Sequence, residues 1–300
     1  MQNLAPIVLF VYNRLDHTKQ TINALKKNYL ATDSILYIFS DAPNNKESIV
    51  SVKNVRHYIH SIKGFKEIII VEREKNYGLA KSIINGVSKV VNRYGKVIVL
   101  EDDLITSPYF LHYMNDTLNI YHNKKSVMSI SAYMYPIEQK LPETFFTYFT
   151  SCWGWGTWED RWKAFERDPE SLIKSMSSSD IKKFNLDGAD NIWRQVKLNT
   201  KGKIYTWAVF WYATVFRKKG LVLHPAVSLT MNIGHDGSGV HCGCDLNYKP
   251  ILATERIENF ERNIINNQIA VDKIKKFLVE HKLSIWKRII NKLKKIWKKI

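Results

Sequence analysis

Residues 97–103 read Val-Ile-Val-Leu-Glu-Asp-Asp, an apolar run that ends in three adjacent carboxylates, Glu101, Asp102 and Asp103. Three acids at one strand end repel one another, and a divalent cation carrying phosphate would offset that repulsion. Mn2+ and Mg2+ suit such an oxygen-rich set, because one or two protein carboxylates hold them while phosphate and water fill the remaining positions. A plainer use of the same residues is helix capping. Asp102 or Asp103 would then cap a helical segment over 104–121 and favour its positive end. The two uses are compatible.

The elements that must carry these acids alternate along the first half of the chain. Strands are expected at 7–12, 34–39, 67–72 and 96–100. Helices are expected at 16–28, 46–61, 78–93 and 107–123; the third has Leu79, Ile83, Val87 and Val90 or Val91 on one stripe. The strand before the acids is a continuous β-branched run, as in a strand buried on both faces of a parallel sheet. Repeated βα units imply a right-handed, mostly parallel α/β sheet flanked by helices. In such a sheet the ligand crevice lies at the carboxyl ends of the strands. Asn13-Arg14 follows the first strand, Asp41 the second, Asn76-Tyr77-Gly78 the third and the acids the fourth. Arg14 can hold a phosphate or a base edge through its rigid fork. Asp41 can accept from a base imide or a ribose hydroxyl, or can serve only its own turn. Gly78 lets backbone approach a ligand just before a helix starts. Neither a Gly-x-Gly-x-x-Gly nor a Walker-type loop is present, which argues against dinucleotide oxidoreductases and P-loop NTPases.

The pattern changes after about residue 125. A strand is expected at 127–133, an aromatic loop at 141–156, helices at 180–201 and 205–218, and a strand at 221–229 interrupted by Pro225. The loop carries Trp153, Trp155 and Trp158, with Gly154 and Gly156 between them. Indole faces stack on sugar rings, but tryptophan is as often core. A later loop, 232–241, gathers His235, Asp236, Ser238 and His241 among three glycines.

These pieces resemble the GT-A glycosyltransferases, and more narrowly bacterial family-2-type proteins related to N-acetylglucosaminyltransferase I. The matching segments are 6–14, 39–41, 76–80, 100–104, Gly154-Trp-Gly-Thr-Trp158 and 232–241, spanning about residues 5–245. The resemblance implies a nucleotide-diphospho-sugar transferase-like fold and an activated sugar donor bound with a divalent metal, Mn2+ or Mg2+. It places Asp103 on the metal, Glu101 and Asp102 near the metal-bound water and the donor sugar or ribose, and Arg14 and Asp41 at the base and ribose. Asn13, Asn76 and Gly78 join that nucleotide-sugar set. Trp153, Trp155 and Trp158 fall where the donor sugar or acceptor rests, and His241 is the candidate for a late metal-binding histidine. Inverting transfer needs a base, and the family carries an acid after a tryptophan in a late aromatic segment. The counterpart here, Thr206-Trp207-Ala208-Val209-Phe210-Trp211, has none. Asp236, Glu159 and Asp160 remain as candidates, with Asp236 favoured because its loop can close over the site.

The chain has 300 residues, 45% of them hydrophobic, and a formal net charge of +17, which points to an anionic partner. Three cysteines, Cys152, Cys242 and Cys244, suggest reduced thiols in the cytosol rather than a disulfide framework. No signal peptide and no membrane span are read from the sequence. From Ser284 to Ile300 an apolar stripe with Trp286 and Trp297 faces a basic side without acids. Such a helix would lie on an anionic membrane surface or pack back onto the enzyme domain. The expected organisation is a nucleotide-sugar-binding half at 1–125, an acceptor-side half at 126–260 and a C-terminal amphipathic helix within 261–300. The expected function is metal-dependent transfer of a hexosyl or N-acetylhexosaminyl group to a glycan or lipid-linked acceptor in bacterial surface polysaccharide synthesis, on the cytoplasmic face of the plasma membrane. A sugar nucleotidyltransferase is the alternative, but 13–16 lacks the basic glycine-rich loop it would need. A nucleic-acid binder is suggested by charge alone, with no zinc-finger or RNP-like motif to support it. A non-catalytic sugar-binding domain is suggested by Ala208.

Overall fold

The computed structural model describes residues 4–137, 140–236 and 248–281. The sequence's β-branched runs become β1 (Ile7–Val11), β2 (Ile35–Ser40), β3 (Glu67–Glu72) and β4 (Lys96–Glu101). Between them lie α1 (Leu15–Lys26), α2 (Ile49–His60) and α3 (Gly78–Tyr94). After the acids come β5 (Leu104–Thr106), α4 (Phe110–Ile120), β6 (Val127–Ser131), β7 (Thr144–Thr147) and β8 (Trp155–Trp158). Next are α5 (Glu159–Trp162), α6 (Pro169–Ser175), α7 (Ser178–Phe184), α8 (Trp193–Thr200) and α9 (Ala208–Arg217). The described chain closes with β9 (Leu221–Pro225), β10 (Thr230–Asn232) and α10 (Gln268–Glu280).

Eight strands form one sheet in the order β3-β2-β1-β4-β8-β6-β9-β7. β3, β2, β1 and β4 are parallel neighbours, β8 is antiparallel to β4 and β6, and β6 and β9 are again parallel. The strands are uniformly apolar because both faces are covered. Ile7, Leu9 and Val11 of β1 join a core with Ile22 and Leu25 of α1 and Leu111 and Leu118 of α4. Val8 and Phe10 point the other way, onto Ile83, Val87 and Val91 of α3 and Trp211 of α9. A further core under α7–α10 takes Phe184, Trp193, Phe210, Ile274 and Phe277. The 268–280 segment, read from sequence as part of an extension, thus buries one face in the folded body.

Several sequence expectations change. The acids do not cap a helix: 104–106 is a strand, and it pairs antiparallel with β10, Leu104 opposite Asn232 and Thr106 opposite Thr230. The 141–156 segment contains β7 and the start of β8 rather than loop alone. The helix expected at 180–201 is two helices, broken where Leu186, Asp187 and Gly188 adopt φ of 51°, 55° and 91°. The break is made by backbone handedness, which helical periodicity does not register. Among the described residues no helix is long and apolar enough to cross a membrane. Cys242, Cys244 and the basic 284–300 segment lie outside the described residues.

One buried group makes the fold acid-sensitive. His224 of β9 is buried, with Nε2 3.2 Å from the Phe149 carbonyl oxygen and its ring stacked on Phe145. Burial holds its pKa down at about 4. The unfolded chain takes up this proton below about 6.5 and the folded chain does not, so stability is full above that pH and falls as pH drops toward 4. We expect His224→Gln to remove roughly 3 kcal/mol from the pH dependence of unfolding between pH 7 and 4. Urea titrations at both pH values measure it, and an unchanged difference would exonerate His224.

Candidate active site

β1 has β2 on one side and β4 on the other, so the connections diverge at the carboxyl ends of β1 and β4 and leave a crevice there. Phe10 lies beside Glu101 in register, so the segments that follow emerge side by side. Asn13, Arg14, Asp41, Asn76, Gly78 and the three acids all line one cleft of about 620 Å³, within the range of small-molecule sites.

The positive group that faces the acids is Arg14. Its Nη2 donates to Asp102 Oδ1 at 2.5 Å and to Asp103 Oδ2 at 2.9 Å. Asp102 and Asp103 are only 5% and 7% exposed, so their charge is poorly screened by water. Burial first, then the neighbouring Asp103, raises Asp102 to about 6, with Arg14 pulling the other way. Glu101 is pushed up to about 8 by burial and then by Asp103 and Asp102. For Arg14 burial opposes the charge, but Asp102 and Asp103 outweigh it and the pKa rises. Even with Glu101 mostly protonated at neutral pH, one guanidinium nitrogen is shared between Asp102 and Asp103, which leaves the cluster room for more positive charge. Asp103 Oδ1 is buried and has no hydrogen-bond partner. The donor set suits a hard divalent cation, and Asp103 is the residue that could hold one. Among the described residues no three His, Cys, Asp or Glu side chains form a metal cage of their own.

The backbone of the acids is fixed from two sides. Thr21 of α1 donates to the Asp102 carbonyl at 2.8 Å, and the Ile233 amide donates to the Asp103 carbonyl at 2.8 Å. The β5–β10 ribbon brings 232–236 here. A Cβ on Gly234 would stand 2.3 Å from Asp103 Oδ2 and 3.1 Å from Arg14 Nη1, so only glycine lets the loop pass. Asp236 then reaches His17 of α1, Oδ2 to Nε2 at 3.2 Å. His235 presents its ring edge to Trp153 at 5.2 Å, and both its ring nitrogens are buried without partners.

Asp41 has a structural duty. Its carboxylate accepts from the amides of Ala42 (3.0 Å), Tyr77 (2.9 Å) and Gly78 (2.8 Å), tying the end of β2 to the start of α3. Gly78 takes φ +69°, which favours glycine, and a Cβ there would meet nothing. The carboxylate thus takes the first free amide of α3 and that of the residue before it. We expect Asp41→Ala to cost about 3 kcal/mol of stability, since one buried and two part-buried amides lose their acceptor, and Asp41→Asn to recover part of it. Chemical denaturation checks this; an Asp41→Ala loss below about 1 kcal/mol would show that water replaces the carboxylate.

Other expected site residues lie elsewhere. Trp155 and Trp158 are 1% and 0% exposed. Trp155 stacks on Trp207, and Trp158 donates to the Leu118 carbonyl, so neither can face a sugar. Gly154 and Gly156 do permit close approach, but to Thr230 and to Met114 and the Val97 carbonyl. Trp153 is half-buried against Tyr133, His235 and Tyr248 and is not among the residues that line the cleft. Glu159 and Asp160 are at the wrong edge of the sheet. The Glu159 amide bonds the Gly95 carbonyl, and β4 must rise five residues, roughly 16 Å, before it reaches Glu101. There Glu159 pairs with Lys163, and Asp160 with Lys125 and Arg161. His241 lies outside the described residues. Sequence reasoning missed Tyr12, Asn44, Asn45, Ser48 and Tyr205, which also line the cleft. The Asn44-Asn45 pair after Pro43 was the available signal.

A switch-point crevice in this sheet, with an acid triplet on its floor, is the arrangement of a GT-A glycosyltransferase. The chain belongs to the GNT-I family, whose model matches residues 1–168. Similar solved structures include residues 1–349 of TarS from S. aureus (11% identity, TM-score 0.45), with 76% of this chain and 59% of that one covered. Another is the mannosyltransferase PcManGT from Pyrobaculum calidifontis in complex with GDP-Man and Mn2+ (8% identity, TM-score 0.42), covering 72% of this chain and 68% of that one. A longer TarS structure is covered over 33% of its length. No curated protein matches the chain.

Proposed function

We propose that this glycosyltransferase is metal-dependent and inverting, and that it moves a hexosyl or N-acetylhexosaminyl group from a nucleotide-sugar to a glycan or lipid-linked acceptor. The observation that carries the reading is the buried, unpartnered Oδ1 of Asp103 on the floor of a nucleotide-sized cleft. Residues up to about 125 supply the nucleotide-sugar-binding half and 126–260 the acceptor-side half of one domain, with Tyr205 reaching the same cleft from the second half. Asp103 would hold Mn2+ or Mg2+, which when bound would supply positive charge against the departing diphosphate. Arg14 turns its fork from Asp102 and Asp103 to the phosphates. Asn13, Asp41, Asn76 and Gly78 position the nucleoside, Glu101 and Asp102 the ribose or donor sugar, and Trp153 the acceptor side. The acceptor oxygen bonds the anomeric carbon, the bond from that carbon to the phosphate oxygen breaks, and Asp236, oriented by His17, takes the acceptor proton. The basic segment from Ser284 to Ile300 supports attachment to the inner face of the plasma membrane and a place in surface polysaccharide synthesis.

Release of nucleoside diphosphate from a panel of nucleotide-sugars in Mn2+ tests the reading. We expect release by the wild-type chain, with kcat lowered about 100-fold or more in Asp236→Asn at similar KM. Unchanged kcat would remove Asp236 as the base. Donor binding without any release would favour a non-catalytic sugar-binding domain, the reading that Ala208, at the start of α9 where the family carries its acid, also supports.

A further inference from the structure

We propose that Tyr205 is the platform on which the nucleobase of the donor stacks, and thereby a determinant of nucleotide affinity; this rests on the nucleotide-sugar reading of the cleft. Tyr205 is 50% exposed, an unusual state for a tyrosine set among so many buried aromatics, and it lines the cleft with Gly78, Leu79 and Ser82. One side of its ring is covered by a cation: Arg167 Cζ stands 3.5 Å from the ring centroid. That guanidinium is not free to leave. Its Nε donates to the Thr206 carbonyl at 3.0 Å and its Nη2 to Asn199 Oδ1 at 2.7 Å. Asn199 is itself buried, and its amide group also bonds Thr206 and the Gln195 carbonyl. The ring is therefore backed by a fixed network that joins α8 to the start of α9, and its remaining surface is turned toward the cleft.

A nucleotide-sugar contains one flat aromatic ring, its base, and a diphosphate that belongs with Arg14 and the acids. Stacking on a rigid aromatic face favours the base over the puckered sugar, and it tolerates different bases because each has a π-face. Lys81, one turn into α3, holds its ammonium 5.7 Å from the centroid of the same ring. It can turn to a phosphate when a base takes the ring. The surface position of Tyr205 means that its replacement leaves the cores intact.

The test is calorimetric titration of UDP, GDP and their sugar-bearing forms in Mn2+ into wild type, Tyr205→Ala, Tyr205→Trp and Arg167→Met. The expected result is a loss of about 10- to 100-fold in Tyr205→Ala for nucleoside diphosphates and nucleotide-sugars alike. Tyr205→Trp should retain affinity, and Arg167→Met should lose less than Tyr205→Ala. Equal affinity of Tyr205→Ala and wild type overturns the proposal and leaves the donor reading standing. A loss confined to the sugar-bearing ligands also overturns it, by placing the transferred sugar on the ring. A wild-type chain that binds no nucleotide overturns this proposal and the donor reading together.

Discussion

Asp103→Asn should lose at least about 100-fold in Mn2+-dependent nucleotide-sugar affinity, close to 3 kcal/mol, and fall to the level seen in EDTA. The substitution keeps the shape of the side chain and removes the charge. Oδ1, the atom without a protein partner, ceases to be an anionic ligand. Oδ2 loses its charge toward Arg14, but Asp102 still pairs with the same guanidinium, so the fold should survive. Titration with and without EDTA measures the difference. Retained metal-dependent affinity in a folded variant would move the cation away from Asp103 and leave its unpartnered oxygen without a function.

Arg14→Met should have the second large effect, this time on stability. Arg14 is the cation that pairs with Asp102 and Asp103, both of them nearly buried. Removing one partner of such a cluster strands the others, and we expect a loss of about 3 kcal/mol at pH 8. Burial raises Asp102 to about 6 and Glu101 to about 8 even with Arg14 pulling both down, so without it these two take up protons more readily. The raised acids favour the folded state at low pH and oppose it as pH climbs through their folded values. The loss should therefore shrink at pH 5, and Mn2+ should restore part of it at pH 8 by binding only the native state. Denaturation at the two pH values, with and without Mn2+, reads this out. A loss that is equal at both pH values and insensitive to Mn2+ would assign Arg14 a packing role.

The strand-end half of the candidate site was legible because its signals are local. Uniform apolar runs marked the strands, and parallel βα units put Asn13, Arg14, Asp41, Asn76, Gly78 and the acids at one sheet edge, where one cleft now gathers them. What the sequence did not reveal depends on pairing between distant segments. The partner of Asp102 and Asp103 is a residue 88 and 89 positions away, and no spacing rule connects them. The capping use of the acids failed because 104–106 finds β10, more than 120 residues later. Trp155 and Trp158 looked like sugar platforms because tryptophan beside glycine suits both a loop and a tight strand crossing. The crossing of β8 between β4 and β6 decided it. Tyr205 was invisible as a site residue, since its role comes from Arg167 and Asn199 on other segments.

The most direct test of a metal-assisted nucleotide-sugar site is a thermal-shift comparison of UDP-, GDP-, TDP- and CMP-sugars on the wild-type chain, each in Mn2+ and in EDTA. A ligand that binds only the folded state raises Tm in proportion to its occupancy. The result expected is a rise with one nucleotide class in Mn2+ that disappears in EDTA. A folded sample that shows no rise with any donor, or the same rise in EDTA, would contradict the metal-dependent donor site at Asp103.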